Sequence, residues 1–532
     1  MRCGGESMPV TTLRAVAGAL VACAALAACG GGGGGGGLSG PKPPPDPTWT
    51  SGVFSAPSTF AAYCASPRSG VDPATSKAYP DKLGSSVWED NWIRAWTHSY
   101  YLWYSEVTDV DPAGYLPADY FKLMKTMQTT TSGAAKDRFH FTYSTSAWEQ
   151  LSQSDVTVGY GVAWDVIAPR PPRHVVVAYV DAGYAGAMAG LVRGATILTI
   201  DGVDMVNASD QASIDKLNAG LSPSTVGESH TFGVELTPGG AQQTITLVAA
   251  NISENPVPLV TTVLGADGKT VGYIEFNSHV ATAESKLISA ITQLQTAGVS
   301  DLVLDIRYNG GGYLDIAAEL AYMIAGPGPT APPAYFEQET FNSQYGTTNP
   351  FFGGQSVTPF WSVTQGFSTT QGQALPTLNL PRVFVLTTSS TCSASEAIIN
   401  GLRGVGINVL EIGTTTCGKP YGFYPQDNCG TTYFSIQFQG NNYAGFGGYG
   451  DGFTPLDDPS PTGFVIAGCE VADDFAHALG DPTEAQFAAA LGLRASSSCP
   501  APSGFAPPPV LHAAHVIRPE PLMNRILRQP RR

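Results

Sequence analysis

The sequence predicts a multidomain α+β protein: a helical N-terminal domain, a small β-rich module, and an α/β core of parallel βαβ units. Three observations carry that prediction. At 532 residues the chain is too long for one ordinary hydrophobic core. Its apolar residues recur at helical spacing early on, at strand spacing over 156–251, and in alternating strand and helix blocks from Thr270 onward. With 43% hydrophobic and 13% charged residues, most of the chain has the material to fold.

Taken in order, Arg14 precedes an apolar run, 15–25, that is too short to span a membrane and ends in Leu26-Ala27-Ala28-Cys29. Residues 1–29 therefore read as an export signal. The glycine run 30–37 and the Pro-rich 41–47 predict a tether over 30–50, first flexible and then stiff. In 51–150 Trp88, Trp92, Trp96 and Leu102 recur at helix spacing, and Phe121, Leu123 and Met124 open a second apolar face. The module, 155–252, alternates over 174–180, 196–201, 231–236 and 243–249, with one helix at 210–217.

The core occupies 253–326 and 381–500. Strands are predicted at 271–276, 302–306, 383–386 and 407–412, and helices at 282–294, 314–324 and 394–402. Strands alternating with helices imply parallel neighbours joined by crossovers. The interruption, 327–380, is rich in Phe and Tyr and poor in charge, and reads as an apolar flap or lid over the site, with a structural extension as the alternative. The tail, 501–532, sets Arg518, Arg525, Arg528, Arg531 and Arg532 against Glu520 and is expected to be disordered.

A formal net charge of −16 excludes a nucleic-acid or anionic-lipid partner, either of which needs a basic face. Six cysteines lie beyond the export segment: Cys64, Cys392, Cys417, Cys429, Cys469 and Cys499, an even number suited to disulfides. Their number alone does not fix the pairing. Short loops favour Cys417 with Cys429 and Cys469 with Cys499, leaving Cys64 with Cys392. No C-x-x-C occurs, so no zinc or other metal site is expected.

Parallel strands end on one edge, where reacting groups collect in open α/β sheets. Four segments follow such ends: 277–279, 308–312, 393–395 and 417–419. Ser393, at a helix start, offers a hydroxyl, and the Ala394 amide has no intrahelical acceptor. Gly311 has no side chain to keep its amide from the same oxygen. Lys419 can act as a base if burial favours its neutral form. These readings have alternatives: Ser393-x-x-Glu396 also fits a capping box, Lys419 a solvated loop charge, the three glycines a turn, and His279 a structural histidine. Asp305 and Arg307 read as an ion pair bracing the glycine loop.

The ordered segments VGYIEFNSH, LVLDIRYNGGG, STCSASEAIINGLRG, EIGTTTCGKP and GDGFTPLDD, with YYLWYSEV and KDRFHF upstream, closely resemble the C-terminal processing (tail-specific) serine peptidases. The resemblance covers about residues 85–460. It implies a ClpP/crotonase-like core, a Ser393–Lys419 dyad, oxyanion donors on Ala394 and Gly311, and no cofactor. YGVAW and AGLVRGATILTIDGV resemble a PDZ domain, which implies that Tyr160, Gly161 and Val162 receive a peptide C-terminus. Leu26 to Cys29 resembles a bacterial lipobox, implying a lipid anchor on Cys29, with Gly30 pointing to an outer membrane facing the periplasm.

One departure stands out. The family carries an orienting Gln four residues after its lysine, where this chain has Phe423, so Gln426 or His279 is the candidate replacement. The expected protein is thus an exported, membrane-tethered endopeptidase acting on protein or peptide substrates. A catalytically silent peptide-binding adaptor is the alternative, and the oligomeric state is left open. An esterase is disfavoured, since Ser393 lacks a G-x-S-x-G elbow.

Overall fold

The computed structural model describes residues 42–499 other than Asp155, with two short segments at 516–517 and 525–527. The expected export segment with Cys29, most of the tether and most of the tail lie outside the described residues.

The core is a six-stranded sheet: β1 (Leu259–Leu264), β2 (Thr270–Glu275), β3 (Asp301–Asp305), β4 (Arg382–Thr387), β5 (Asn408–Gly413) and β6 (Gly468–Glu470). They lie side by side in chain order, β1 antiparallel to β2 and the rest parallel. Three crossover helices follow β2, β3 and β4: α1 (Ala283–Thr296), α2 (Leu314–Ala325) and α3 (Ala394–Gly404). A strand order that always steps the same way, with crossovers of one hand, puts every crossover helix on the same face. The side chains agree. Leu302, Leu304, Val383 and Val385 pack with Leu287, Ile291, Leu320, Ile398 and Leu402 on that face. The alternate residues Val303, Phe384 and Leu386 face Phe487 and Ala490 of α4 (Ala485–Ser496) on the other. A sheet covered on both faces explains why β3 and β4 read as continuous apolar runs.

The glycine loop after β3 is braced as the sequence implied. Arg307 is fully buried and pairs with Asp305 at 2.9 Å, Asp473 at 2.7 Å and Glu484 at 2.9 Å. A guanidinium withdrawn from water without such partners would be strongly destabilising.

Helix Ser86–Tyr100 buries Trp92, Ile93 and Trp96 against Phe121 of the short helix Pro117–Leu123 and against Tyr433. It ends before Leu102, so the helical face expected there is shorter. Strand Phe141–Ser144 then joins Thr431–Phe434 of the core in an antiparallel pair, which ties the two regions by main chain.

Residues 156–253 form an antiparallel sheet, in order 242–248, 229–235, 196–200, 174–180 and 162–168. Helix Gln211–Leu221 covers it and is capped by Asp210, which accepts from Ser213 N at 2.9 Å. Arg193 of this module reaches the core, pairing with Asp473 and donating to Tyr308 Oη.

One expectation is corrected. The disulfides are Cys64–Cys429, Cys392–Cys417 and Cys469–Cys499, so only the last follows the short-loop rule. Cys429 lies at a hairpin turn beside the N-terminal region, where Cys64 meets it. The insertion 327–380 is joined to the core by strand pairing and buried rings. Its strand Glu337–Phe341 pairs with Phe438–Asn441, and Phe336, Phe341 and Phe360 are buried with the crossover helices.

Two carboxyls hold the far part of that insertion. Glu284 of α1 accepts from the amides of Gln365, Gly366, Ser368 and Thr369, and Glu319 of α2 also accepts from Gln365 N. Burial, then the neighbouring Glu284, pushes Glu319 up to about 9 from an ordinary 4.5. Between those values the unfolded chain has released this proton and the folded chain retains it, so stability falls as pH rises. Glu319→Gln is therefore expected to flatten the decline of Tm between about pH 5 and 9. An unchanged slope in thermal melts across that range would contradict this account.

Candidate active site

Ser393 follows β4 and caps α3 with φ 62° and ψ −116°, a left-handed φ that is costly for a residue with a side chain. The strain is held by neighbours on the glycine loop. Cys392 N and Ser395 Oγ both donate to Asn309 O, at 3.0 and 2.9 Å. Of the expected capping box, the half that forms a hydrogen bond is Ser393 N donating to Glu396 Oε2 at 2.9 Å. Ser393 Oγ is buried and meets hydrogen-bond geometry with no described residue.

Glu396 does more than cap. Its fully buried carboxylate also accepts from Thr416 Oγ1 at 2.5 Å and Gly418 N at 2.8 Å through Oε1, and from Lys419 N at 2.8 Å through Oε2. One oxygen thus joins the amides of Ser393 and Lys419. Burial pushes this carboxyl up, against four bonds that favour its ionised form. Beside it the Cys392–Cys417 disulfide spans 5.2 Å between Cα atoms, and Cys417 N donates to Thr391 O at 3.0 Å. The Ser393 loop and the Lys419 loop are consequently one unit.

Lys419 is fully buried, with Nζ 4.4 Å from the Phe423 ring centre and 5.0 Å from that of Phe139. Neither candidate for the missing glutamine takes that place. Gln426 donates to Pro425 O in a hairpin strand. His279 sits behind the glycine loop, its Nδ1 2.9 Å from Asn309 Oδ1, and burial lowers its pKa to about 3. It is a neutral, structural histidine, and Gly312 needs to be glycine because an added Cβ would come 2.4 Å from His279 O.

Ala394 opens α3 beside Ser393, where helical amides have no acceptor of their own. Gly311 differs from expectation: its amide donates to Asn309 Oδ1 at 3.0 Å, so it must turn away from Asn309 to serve an oxyanion. In the module, Tyr160, Gly161 and Val162 line a groove with Trp164, Leu221 and Pro223. Tyr160 is buried and donates to Gly220 O at 3.0 Å. The sequence reading missed Phe139, which it quoted only within KDRFHF, and took Glu396 for a cap alone.

A strained, buried serine and a buried lysine on joined loops at the rim of a parallel sheet have the layout of a serine-hydrolase centre. Residues 270–423 match the model of Peptidase family S41. The chain is 29% identical over 237 residues to a carboxyl-terminal-processing protease of Picosynechococcus, covering 44% of this chain and 49% of that protein. It is 30% identical over 169 residues to a chloroplastic C-terminal processing peptidase of Tetradesmus obliquus, covering 29% and 34%. The chain thus spans about half or less of the curated relatives it matches. A crystal structure described as an S41 protease from Bacteroides fragilis shares the fold, with TM-score 0.55 and 21% identity over 79% of this chain and 98% of that one.

Closing the loop between Cys392 and Cys417 is worth about 3 kcal/mol by chain entropy. The double variant Cys392→Ala/Cys417→Ala is expected to lose about that much unfolding free energy in denaturant titrations. A much smaller loss would show that Glu396 alone holds the two loops.

Proposed function

We propose that this protein is an exported serine endopeptidase, anchored to a membrane through Cys29, that cleaves other exported proteins through a Ser393–Lys419 dyad. The observation that carries the reading is the shared bond from Glu396 Oε2 to the amides of Ser393 and Lys419. In this mechanism the neutral Lys419 amine takes the proton from Ser393 Oγ as it attacks the peptide carbonyl. The oxyanion is received by the Ala394 amide and by Gly311 once its amide leaves Asn309. Lys419 then passes the proton to the departing amine, giving an acyl-enzyme that water hydrolyses with Lys419 again as base. Burial of Lys419 supports the role, since leaving water disfavours its charged form.

The β-rich module is proposed to be a PDZ-like domain whose groove at Tyr160, Gly161 and Val162 receives substrate C-termini by strand addition, and the core to be of the ClpP/crotonase type. The proposed site of action is the periplasmic side of an outer membrane. No cofactor is required. A second reading, a peptide-binding adaptor without catalysis, is favoured by the engaged Gly311 amide and by Phe423 in place of glutamine.

Full-length protein is expected to cleave an unfolded substrate, with Ser393→Ala and Lys419→Ala each lowering kcat at least about 10⁴-fold at unchanged Tm. Cleavage retained by Ser393→Ala would remove the dyad mechanism. Peptide binding without any cleavage by the unaltered protein would establish the adaptor.

A further inference from the structure

The Lys419 amine lies between two rings that come from different parts of the chain. Phe423 follows it by one turn of loop, is fully buried, and is wedged by Phe434 at 5.3 Å and Phe141 at 5.8 Å. Phe139 belongs to the N-terminal region and packs with Tyr101, Cys392, Tyr421 and Ile436. Its segment is docked onto the lysine loop. Arg138 donates to Cys417 O, Phe139 N donates to Asp137 Oδ1 at 3.0 Å, and Tyr101 Oη donates to Asp137 Oδ2 at 2.6 Å. Neither ring is free to swing away without disturbing this packing.

We propose that Phe139 and Phe423 are positioning residues for the base, clamping the Lys419 amine between two ring faces. The proposal rests on the Ser393–Lys419 reading. A ring face attracts an ammonium and has little hold on a neutral amine. Burial acts the other way and disfavours the ammonium. The rings therefore return part of the proton affinity that burial removes, and they keep the amine aimed while its charge changes. Charged and titratable groups on the elements packed against the lysine loop include Glu396 on α3, which accepts from Lys419 N, and Arg138, which donates to Cys417 O, with Asp137 and His140 on the same segment as Arg138. Leucine in place of either phenylalanine keeps the site dry and fills most of the volume while removing the ring face.

The experiment follows the Lys419 ε-methylene by ¹H–¹³C NMR in full-length protein carrying ¹³C-lysine, the signal being assigned by its loss in Lys419→Ala. Ring currents are expected to move its protons upfield of the other lysines. In Phe139→Leu and in Phe423→Leu the displacement should shrink and the titration midpoint fall by about 0.5–1.5 pH units. Phe423→Tyr, which keeps the ring, should hold the midpoint of the unaltered protein. Where cleavage is measured, the rise of kcat/KM with pH should move to acid by the same amount. Unchanged shifts and midpoints in both leucine variants, at unchanged Tm, would overturn the clamp. The NMR readout does not depend on turnover, so absent cleavage with the expected shifts would refute the dyad and leave the clamp standing.

Discussion

The buried carboxylate of Glu396 is the constraint on which the site depends. It lies on the first turn of α3, and its four donors belong to two loops that the chain visits on either side of a helix and a strand. Removing such an acceptor would leave buried amides without partners, which costs more than the bonds contribute on average. The same atom that ends the helix thus sets the spacing between serine and lysine, so local capping and long-range geometry are one interaction.

That junction is available because of the sheet. Each crossover returns the chain to the same rim, one strand further along, so the glycine loop after β3, Ser393 after β4 and Lys419 after β5 follow one another in space. Bracing then comes from both sides. Arg307 and its three acids hold the glycine loop from the face covered by α4. The N-terminal region closes the opposite flank through Arg138 and Phe139. The helical start of the chain is therefore part of the lysine's surroundings and not a separate appendage.

Much of this core was legible in the sequence because parallel strands buried on both faces leave uninterrupted apolar runs, as at Leu302 to Leu304 and Val383 to Leu386. Strand β1 was not, since Thr261 and Thr262 sit on a half-exposed antiparallel edge where neither period nor hydrophobicity is strong. The adjacency of the Ser393 and Lys419 loops could be argued from topology alone. The engaged Gly311 amide could not, because it depends on which way the Asn309 side chain turns. Cysteine pairing failed for a related reason: loop entropy favours close neighbours in sequence, while the hairpin that carries Cys429 is placed by its partner strand Phe141–Ser144. Phe139 meets Lys419 only through that same long-range docking, for which no sequence spacing gives a signal.

The Cys64–Cys429 bond joins residues 365 positions apart in sequence and encloses the whole β-rich module and the extension after α2. A cut by another hydrolase at an exposed turn anywhere inside that circle would leave two pieces still covalently joined. The molecule can accordingly be nicked there without shedding a fragment.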